Sequence, residues 1–171
     1  KVFKEKKVSG VGGDELLRTI ICSDETLPAD MAVIAVGFRS EISLAQKSGI
    51  DATPAGIKTD DMLMTSVKDV YAAGDCIINS SAIDGKSIVS RLATSAYKQG
   101  TVAAINALGG NEKYRGSAGT FVTRIGSFEI AGTGFNTALS AARGFEPVSG
   151  KITSKIRPEY YPDNSDITVK I

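Results

Sequence analysis

The sequence predicts an α/β chain that passes, near Gly116–Gly119, into a smaller α+β segment. Three observations carry this. β-rich apolar runs fill residues 1–37, an amphipathic run from Ser90 to Leu108 has helical spacing, and beyond the glycine-rich break strand-like runs alternate with one short helical stretch. At 171 residues and 42% hydrophobic content the chain has material for one ordinary domain or two small ones.

Taken in order, "VFKEKKV", "LLRTIIC" and "MAVIAVG" each read as a strand, and the polar "SDETLPAD" separates the last two. Between the first two, "GVGGDE" (Gly10 to Glu15) reads as a hairpin loop. Ser40 is placed to cap a short helix over "EISLAQKS", with Glu41 in its first turn and Gly49 where a left-handed residue is wanted. Next, "GIKTDDML" and "DVYAAG" read as short strands around a turn, and "CIINSSAIDGKS" as a loop. In the long helix Leu92, Ala96, Ala103 and Leu108 lie close to one face, and Gly109 and Gly110 stop it. Gly100 in its middle costs about 1 kcal/mol against Ala, which implies close packing there. "NEKYRGSAG" resembles a linker. Beyond it "TFVTRI" and "FEIAGTG" read as paired strands, "NTALSAARG" as a short helix capped by Asn136, and "FEPVSGKITSK" and "DITVKI" as further strands. A lone final strand needs neighbours to bury its face, and the first residue is Lys, so both ends read as cut.

Composition excludes several functions. Twenty Lys plus Arg against nineteen Asp plus Glu leave a net charge of +1, too balanced for the field that phosphate-backbone binding requires. The longest apolar run, Met31 to Phe38, is far shorter than a membrane span, and "KVFKEKK" leads into no signal-type segment, so a cytoplasmic protein is expected. Cys22 and Cys76 form neither a C-x-x-C pair nor a disulfide framework and read as small hydrophobes. Histidine is absent, which removes imidazole zinc ligands, Ser-His-Asp triads and Cys-His nucleophile pairs together.

Chemistry is sought first in "VYAAGD". A strand ending in Ala72, Ala73 and Gly74 lets a ligand approach the backbone, and an ionised Asp75 can accept hydrogen bonds from two neighbouring hydroxyls, such as those of a sugar or ribityl chain. The same residues also suit a plain turn in which Asp75 binds nearby backbone amides. "GTGFNT" (Gly132 to Thr137) follows a strand and opens a helix, but Thr137 stands where a dinucleotide fingerprint needs its third glycine. In "PEYYPD" adjacent tyrosines between prolines imply an extended backbone with a phenol facing outward, either for packing or for a site. Asp60 and Asp61 lack a third nearby ligand and read as solvated rather than as a metal site.

The stretches "MAVIAVGFRSEISLAQKSGI", "GIKTDDMLMTSVKDVYAAGDC", "RLATSAYKQGTVAAINALGG" and "GTFVTRIGSFEIAGTGFN", in this order, resemble FAD-dependent pyridine nucleotide-disulfide oxidoreductases. They look most like the NADH oxidase, NADH peroxidase and coenzyme A-disulfide reductase branch. The resemblance implies that residues 1–40 end an NAD(P)-binding Rossmann-like domain, that 41–117 form the C-terminal part of an FAD-binding domain, and that 118–171 begin an incomplete dimerisation domain. It implies that Asp75, beside Gly74, hydrogen-bonds the FAD ribityl chain. It further implies that the helix start at Leu92, Ala93 and Thr94 points at the flavin's pyrimidine edge, where amides and the positive helix end would stabilise negative charge on the reduced ring. By the same resemblance Val36 and Gly37 sit by the path of NAD(P)H, and Tyr160 or Tyr161 reaches a partner subunit's substrate site in a homodimer. Departures are as informative. The family's G-x-G-x-x-G fingerprint and its redox cysteine are missing, and Cys76 does not replace the latter.

The implied activity of the parent protein is hydride transfer from NAD(P)H to FAD and onward to oxygen, peroxide or a small disulfide, with this chain alone inactive. Two alternatives stand beside it: a non-catalytic dimerisation module, and a flavoprotein of the ferredoxin or nitrite reductase type.

Overall fold

Leu17–Cys22 carries the β-formers Thr19, Ile20 and Ile21 and becomes the central strand of a three-stranded antiparallel sheet. The computed structural model describes residues 2–171, and the chain divides into two units, Lys1–Phe38 and Arg39–Ile171. The second expected boundary, near residue 117, falls inside the second unit.

In the first unit β1 (Val8–Gly13) pairs with β2 (Leu17–Cys22), and β2 with β3 (Thr26–Pro28). Three expectations are corrected here. "GVGG" is strand rather than loop, with Gly12 leaving room beside Thr19, whose Oγ1 a Cβ would approach to 2.5 Å. "VFKEKKV" joins the sheet only at Val8, because its alternating charges offer no apolar face and Lys6 instead pairs with Asp24 and Glu25. "MAVIAVG" forms no strand at all. Met31, Val33, Ile34 and Val36 are 78 to 88% exposed, since an apolar run becomes a strand only beside a partner for its ladder bonds, and no described strand pairs with it.

The second unit begins with helix α1 (Ser43–Lys47). Ser40 does not cap it. Glu41 does the nearer work, its Oε1 accepting from the Ser43 amide at 2.8 Å, and the Ser43 hydroxyl first and that amide second hold the Glu41 carboxyl below its usual range. Gly49 closes the helix at φ 71°, as expected. The strands foreseen around residues 56–74 reduce to the antiparallel pair β4 (Ala52–Thr53) and β5 (Gly56–Ile57), plus single bridges of Met64 to Tyr71 and of Ile57 to Ile77. Ala45, Ile57, Leu63, Ile77 and Ala103 form the core.

Helix α2 (Ala93–Ala107) packs on that core through Ser95, Gln99, Ala103 and Asn106. Of the expected apolar face only Ala103 is buried, and Leu108 is 90% exposed. Nothing lies within 4 Å of a Cβ at Gly100, so the close packing inferred there is absent. Beyond α2 come the hairpin β6 (Phe121–Ile125) and β7 (Phe128–Gly132), helix α3 (Thr137–Ala142), and the antiparallel pair β8 (Lys151–Lys155) and β9 (Asp166–Lys170). The final strand thus has a neighbour, and Asn136 caps α3 by accepting from the Leu139 amide at 2.8 Å. The whole is mixed α/β, and parallel pairing among the described residues is limited to the bridges Ile57 to Ile77 and Ser81 to Ser117.

Candidate functional site

The run of small residues at 72–74 ends in a turn that only glycine enters without strain, Gly74 having φ 91°. Its amide donates to Gln99 Oε1 at 2.8 Å, so the middle of α2 holds the turn directly. Gln99 is 1% exposed, and a Cβ on Gly74 would meet Ala96 Cβ at 3.9 Å. The next carbonyl, that of Asp75, accepts from Ser40 Oγ at 2.8 Å, and Arg91 Nη2 donates to the same hydroxyl at 3.3 Å. Ser40, not a cap, is therefore a bridge between the Asp75 backbone and the approach to α2. The Asp75 side chain is exposed, and among the described residues the structure gives its carboxylate no hydrogen-bond partner.

Gly74, Asp75, Ile78, Asn79, Ser90 and Arg91 line one cleft. Directly after Arg91, Leu92 is extended (φ −121°, ψ 136°) and α2 starts with no side-chain cap and no acidic residue in its first turn. Ala93 and Thr94 are exposed there. First-turn amides of a helix have no intrahelical acceptor, so a fifteen-residue helix ends here in free donors and partial positive charge.

The segment 111–119, expected as a linker, braces this helix end instead. Ser117 Oγ accepts from Ser95 Oγ at 3.0 Å and lies 3.1 Å from Ser90 Oγ, while Tyr114 donates to Asn79 Oδ1 at 3.0 Å and Asn79 Nδ2 to the Ser90 carbonyl at 3.0 Å. Ser117 and Asn79 are both buried, and polar groups persist there because each has a partner.

The loop between Asn79 and Ser90 is closed on itself by a bridge of Ser80 to Ser87 and by Ser81 N donating to the Lys86 carbonyl at 2.9 Å. Asp84 sits at its tip, facing Arg143 of the α3 end at 2.9 Å. Burial opposes ionisation of Asp84, but the Lys86 amide, the Ser81 hydroxyl and the Arg143 guanidinium outweigh it and hold the carboxyl below the ordinary aspartate range. A lowered folded value means that this group's contribution is complete above the unfolded pKa and is lost as pH falls through the folded one. Acid titration followed by amide exchange should show the Ser81 and Gly85 amides loosening only below the ordinary aspartate range.

Other expected residues lie elsewhere. Val36 and Gly37 belong to the first unit, Val36 88% exposed and Gly37 at φ 81°. Tyr160 and Tyr161 occupy the connection between β8 and β9, 80% and 45% exposed, their ring centroids 4.9 Å apart and the Arg157 guanidinium 5.9 Å from the Tyr161 ring. Their backbone is a turn, not extended, because Tyr161 N donates to the Pro158 carbonyl at 3.1 Å and Asn164 binds the Arg157 and Pro158 carbonyls. Asp60 Oδ1 accepts from the Met62 and Met64 amides, and Asp61 pairs with Lys113 at 2.7 Å. No group of three His, Cys, Asp or Glu among the described residues is placed to hold a metal ion, and none of the helices there is long and apolar enough to cross a membrane. A larger groove, about 350 Å3, is lined by Asp61, Leu63, Ser81, Tyr114 and Arg115 and excludes Gly74 and Asp75.

Sequence reasoning missed Gln99, Ser40, Arg91 and Ser117. Gln99 carried a signal, since a polar side chain one helical turn from Ser95 and from Ala103 shares their face. The other three act through loop geometry that no spacing encodes.

The profile of the family described as "Pyridine nucleotide-disulphide oxidoreductase" matches residues 1–100. An NADH oxidase of Methanocaldococcus jannaschii is 30% identical over the whole chain, which covers 38% of that protein. A CoA-dependent NAD(P)H sulfur oxidoreductase of Pyrococcus furiosus is 31% identical over 96% of the chain and 38% of its own length. Among solved structures an NAD-dependent persulfide reductase from A. fulgidus superposes with a TM-score of 0.85 at 27% identity, over 96% of this chain and 31% of that one. The chain spans less than two fifths of the length of the curated relatives it matches. With more than half of its residues matched by the profile, this chain belongs to the pyridine nucleotide-disulphide oxidoreductase family.

Proposed function

We propose that this chain supplies the C-terminal side of an FAD site, and the start of an interface domain, in an NAD(P)H-dependent flavoprotein oxidoreductase. One observation carries the reading: an unpartnered carboxylate at Asp75 lines a cleft whose wall runs to Arg91, the residue before the N-cap of an uncapped, fifteen-residue helix. The donor set fits the group. Asp75 offers acceptors for two ribityl hydroxyls, and Gly74, with only Ala96 Cβ near the place of a side chain, keeps the backbone open to a ligand.

Bound FAD would supply the hydride acceptor. The chain's own part is to orient it and to favour the reduced state. Asp75 would hold the hydroxylated arm, Gln99 fixes the turn that carries Asp75, and the amides at Leu92, Ala93 and Thr94 would offer partial positive charge to the reduced ring. Val36 and Gly37 are proposed to lie along the NAD(P)H path. The strands from Phe121 onward are proposed to join a homodimer, with Tyr160 or Tyr161 serving the partner's substrate site. Exposed Val122, Phe128 and Tyr160, at 79, 73 and 80%, support that reading. The onward acceptor would be oxygen, peroxide or a small disulfide; the relatives' names, an oxidase, a CoA-dependent sulfur oxidoreductase and a persulfide reductase, support an oxidant of the oxygen or sulfur class.

The test is Asp75→Ala in the complete polypeptide. Loss of a charge-assisted hydrogen bond should weaken FAD retention by about 1.5–3 kcal/mol, read as flavin released on dilution. Flavin content equal to that of the parent protein would reject the assignment.

A further inference from the structure

We propose that Arg143 is a positioning residue that couples the segment beyond Gly119 to the wall of the Asp75 cleft, through its grip on the loop 80–87. Two contacts define the grip. Arg143 Nη1 donates to Asp84 Oδ2 at 2.9 Å and Nη2 to the Ser87 carbonyl at 2.6 Å, so one planar fork spans the tip and the exit of the loop. Both side chains are largely withdrawn from water, 16% exposed for Arg143 and 8% for Asp84. The guanidinium also lies 5.4 Å from the Phe135 ring centroid, and Phe135 and Phe145 pack with centroids 6.2 Å apart. The grip is thus seated in an aromatic bracket on the α3 side.

On the other side the loop is tied by its own hydrogen bonds. Asp84 spends its second oxygen inside it, Oδ1 accepting from the Lys86 amide at 3.1 Å, and Gly85 N donates to the Ser81 carbonyl at 3.0 Å. Ile88 N then donates to the Asn79 carbonyl at 2.9 Å. Ser87, Ile88, Ser90 and Arg91 line the same cleft as Gly74 and Asp75. A shift of α3 therefore has a hydrogen-bonded route to the residues that lead into Leu92, through Ile88 and through Asn79 Nδ2, which donates to the Ser90 carbonyl at 3.0 Å. Lysine substitutes only in part, since its ammonium has donors but no fixed fork for two acceptors.

The functional half of this inference rests on the flavin reading of the cleft, so the experiment separates the two. Arg143→Gln, Arg143→Lys and Asp84→Asn are made in the complete, flavin-loaded protein, with Asp75→Ala alongside. Flavin release, the visible circular dichroism of bound flavin and amide exchange at Ser81, Gly85 and Ile88 are read. Arg143→Gln and Asp84→Asn should speed release roughly two- to thirty-fold, the span expected for coupling through a packed network. They should alter the visible dichroism and accelerate exchange in the loop, and the double variant should add little to either. Arg143→Lys should fall between, which keeps the test readable if the harsher variants fold poorly. Wild-type release and dichroism in variants whose α3 amides stay protected, while Asp75→Ala does release flavin, would overturn the coupling. If Asp75→Ala has no effect either, the flavin reading falls, and unchanged exchange at Ser81 and Ile88 would then reject the grip as well, whereas faster exchange would sustain it.

Discussion

Replacing Gly56 by Ala should destabilise the second unit by about 3–5 kcal/mol, the sum of backbone strain and overpacking. Gly56 is buried at φ 140°, and a Cβ there would stand 2.7 to 2.9 Å from Ile77 C, Cys76 O and Ile77 O. Those atoms are backbone and are themselves engaged. Ile57 N donates to the Cys76 carbonyl at 2.7 Å and Ile78 N to the Ile57 carbonyl at 2.9 Å, so relief requires β5 to part from the segment that follows Asp75. Urea unfolding followed by the helical dichroism signal reports the loss, and a change below about 1 kcal/mol would contradict the crowding argument. Because a domain's stability is about 5–15 kcal/mol, such a loss removes a large share of it.

How far this arrangement was legible in the sequence depends on which neighbour each residue answers to. α3 was readable because Asn136 caps it locally, and the end of α1 because Gly49 adopts the left-handed turn on its own account. Gly74 and Asp75 stood out as a break in side-chain volume followed by a charge. "MAVIAVG" misled for the opposite reason: its β propensity is real, but ladder partners decide whether it is spent on a strand. The face of α2 misled more instructively. Apolar spacing selects Leu92, Ala96, Ala103 and Leu108, whereas the helix buries Ser95, Gln99 and Asn106 because its neighbours are irregular loops whose backbone groups need donors and acceptors. Where this helix packs against loops, hydrogen-bonding side chains hold most of the buried face, and the apolar periodicity finds only its edge, at Ala103. The same cause hid Ser40, Arg91 and Ser117, whose partners are set by the path of the chain.

Asn106 is the sharpest case, and Asn106→Ala should cost about 3–5 kcal/mol, the sum over backbone groups left without partners. At 3% exposure its Nδ2 donates to the Met62 and Glu112 carbonyls, both at 2.8 Å, and its Oδ1 accepts from the Glu112 amide at 2.8 Å. Alanine removes the partner of three backbone groups gathered on a buried side chain, although the bond from Tyr71 to the residue's own carbonyl persists. Asn106→Asp separates bonding from volume. The carboxylate keeps the acceptor for Glu112 N but turns a negative charge toward two carbonyls, so near neutral pH it should be at least as damaging as alanine. Burial and those carbonyls raise the new group's pKa, and once protonated it can donate to one of them. The deficit of Asn106→Asp relative to the parent chain should therefore shrink as pH falls through that raised value, while the deficit of Asn106→Ala should not. Parallel pH dependence of the two variants in urea unfolding would show that side-chain volume, and not donor geometry, makes this residue matter.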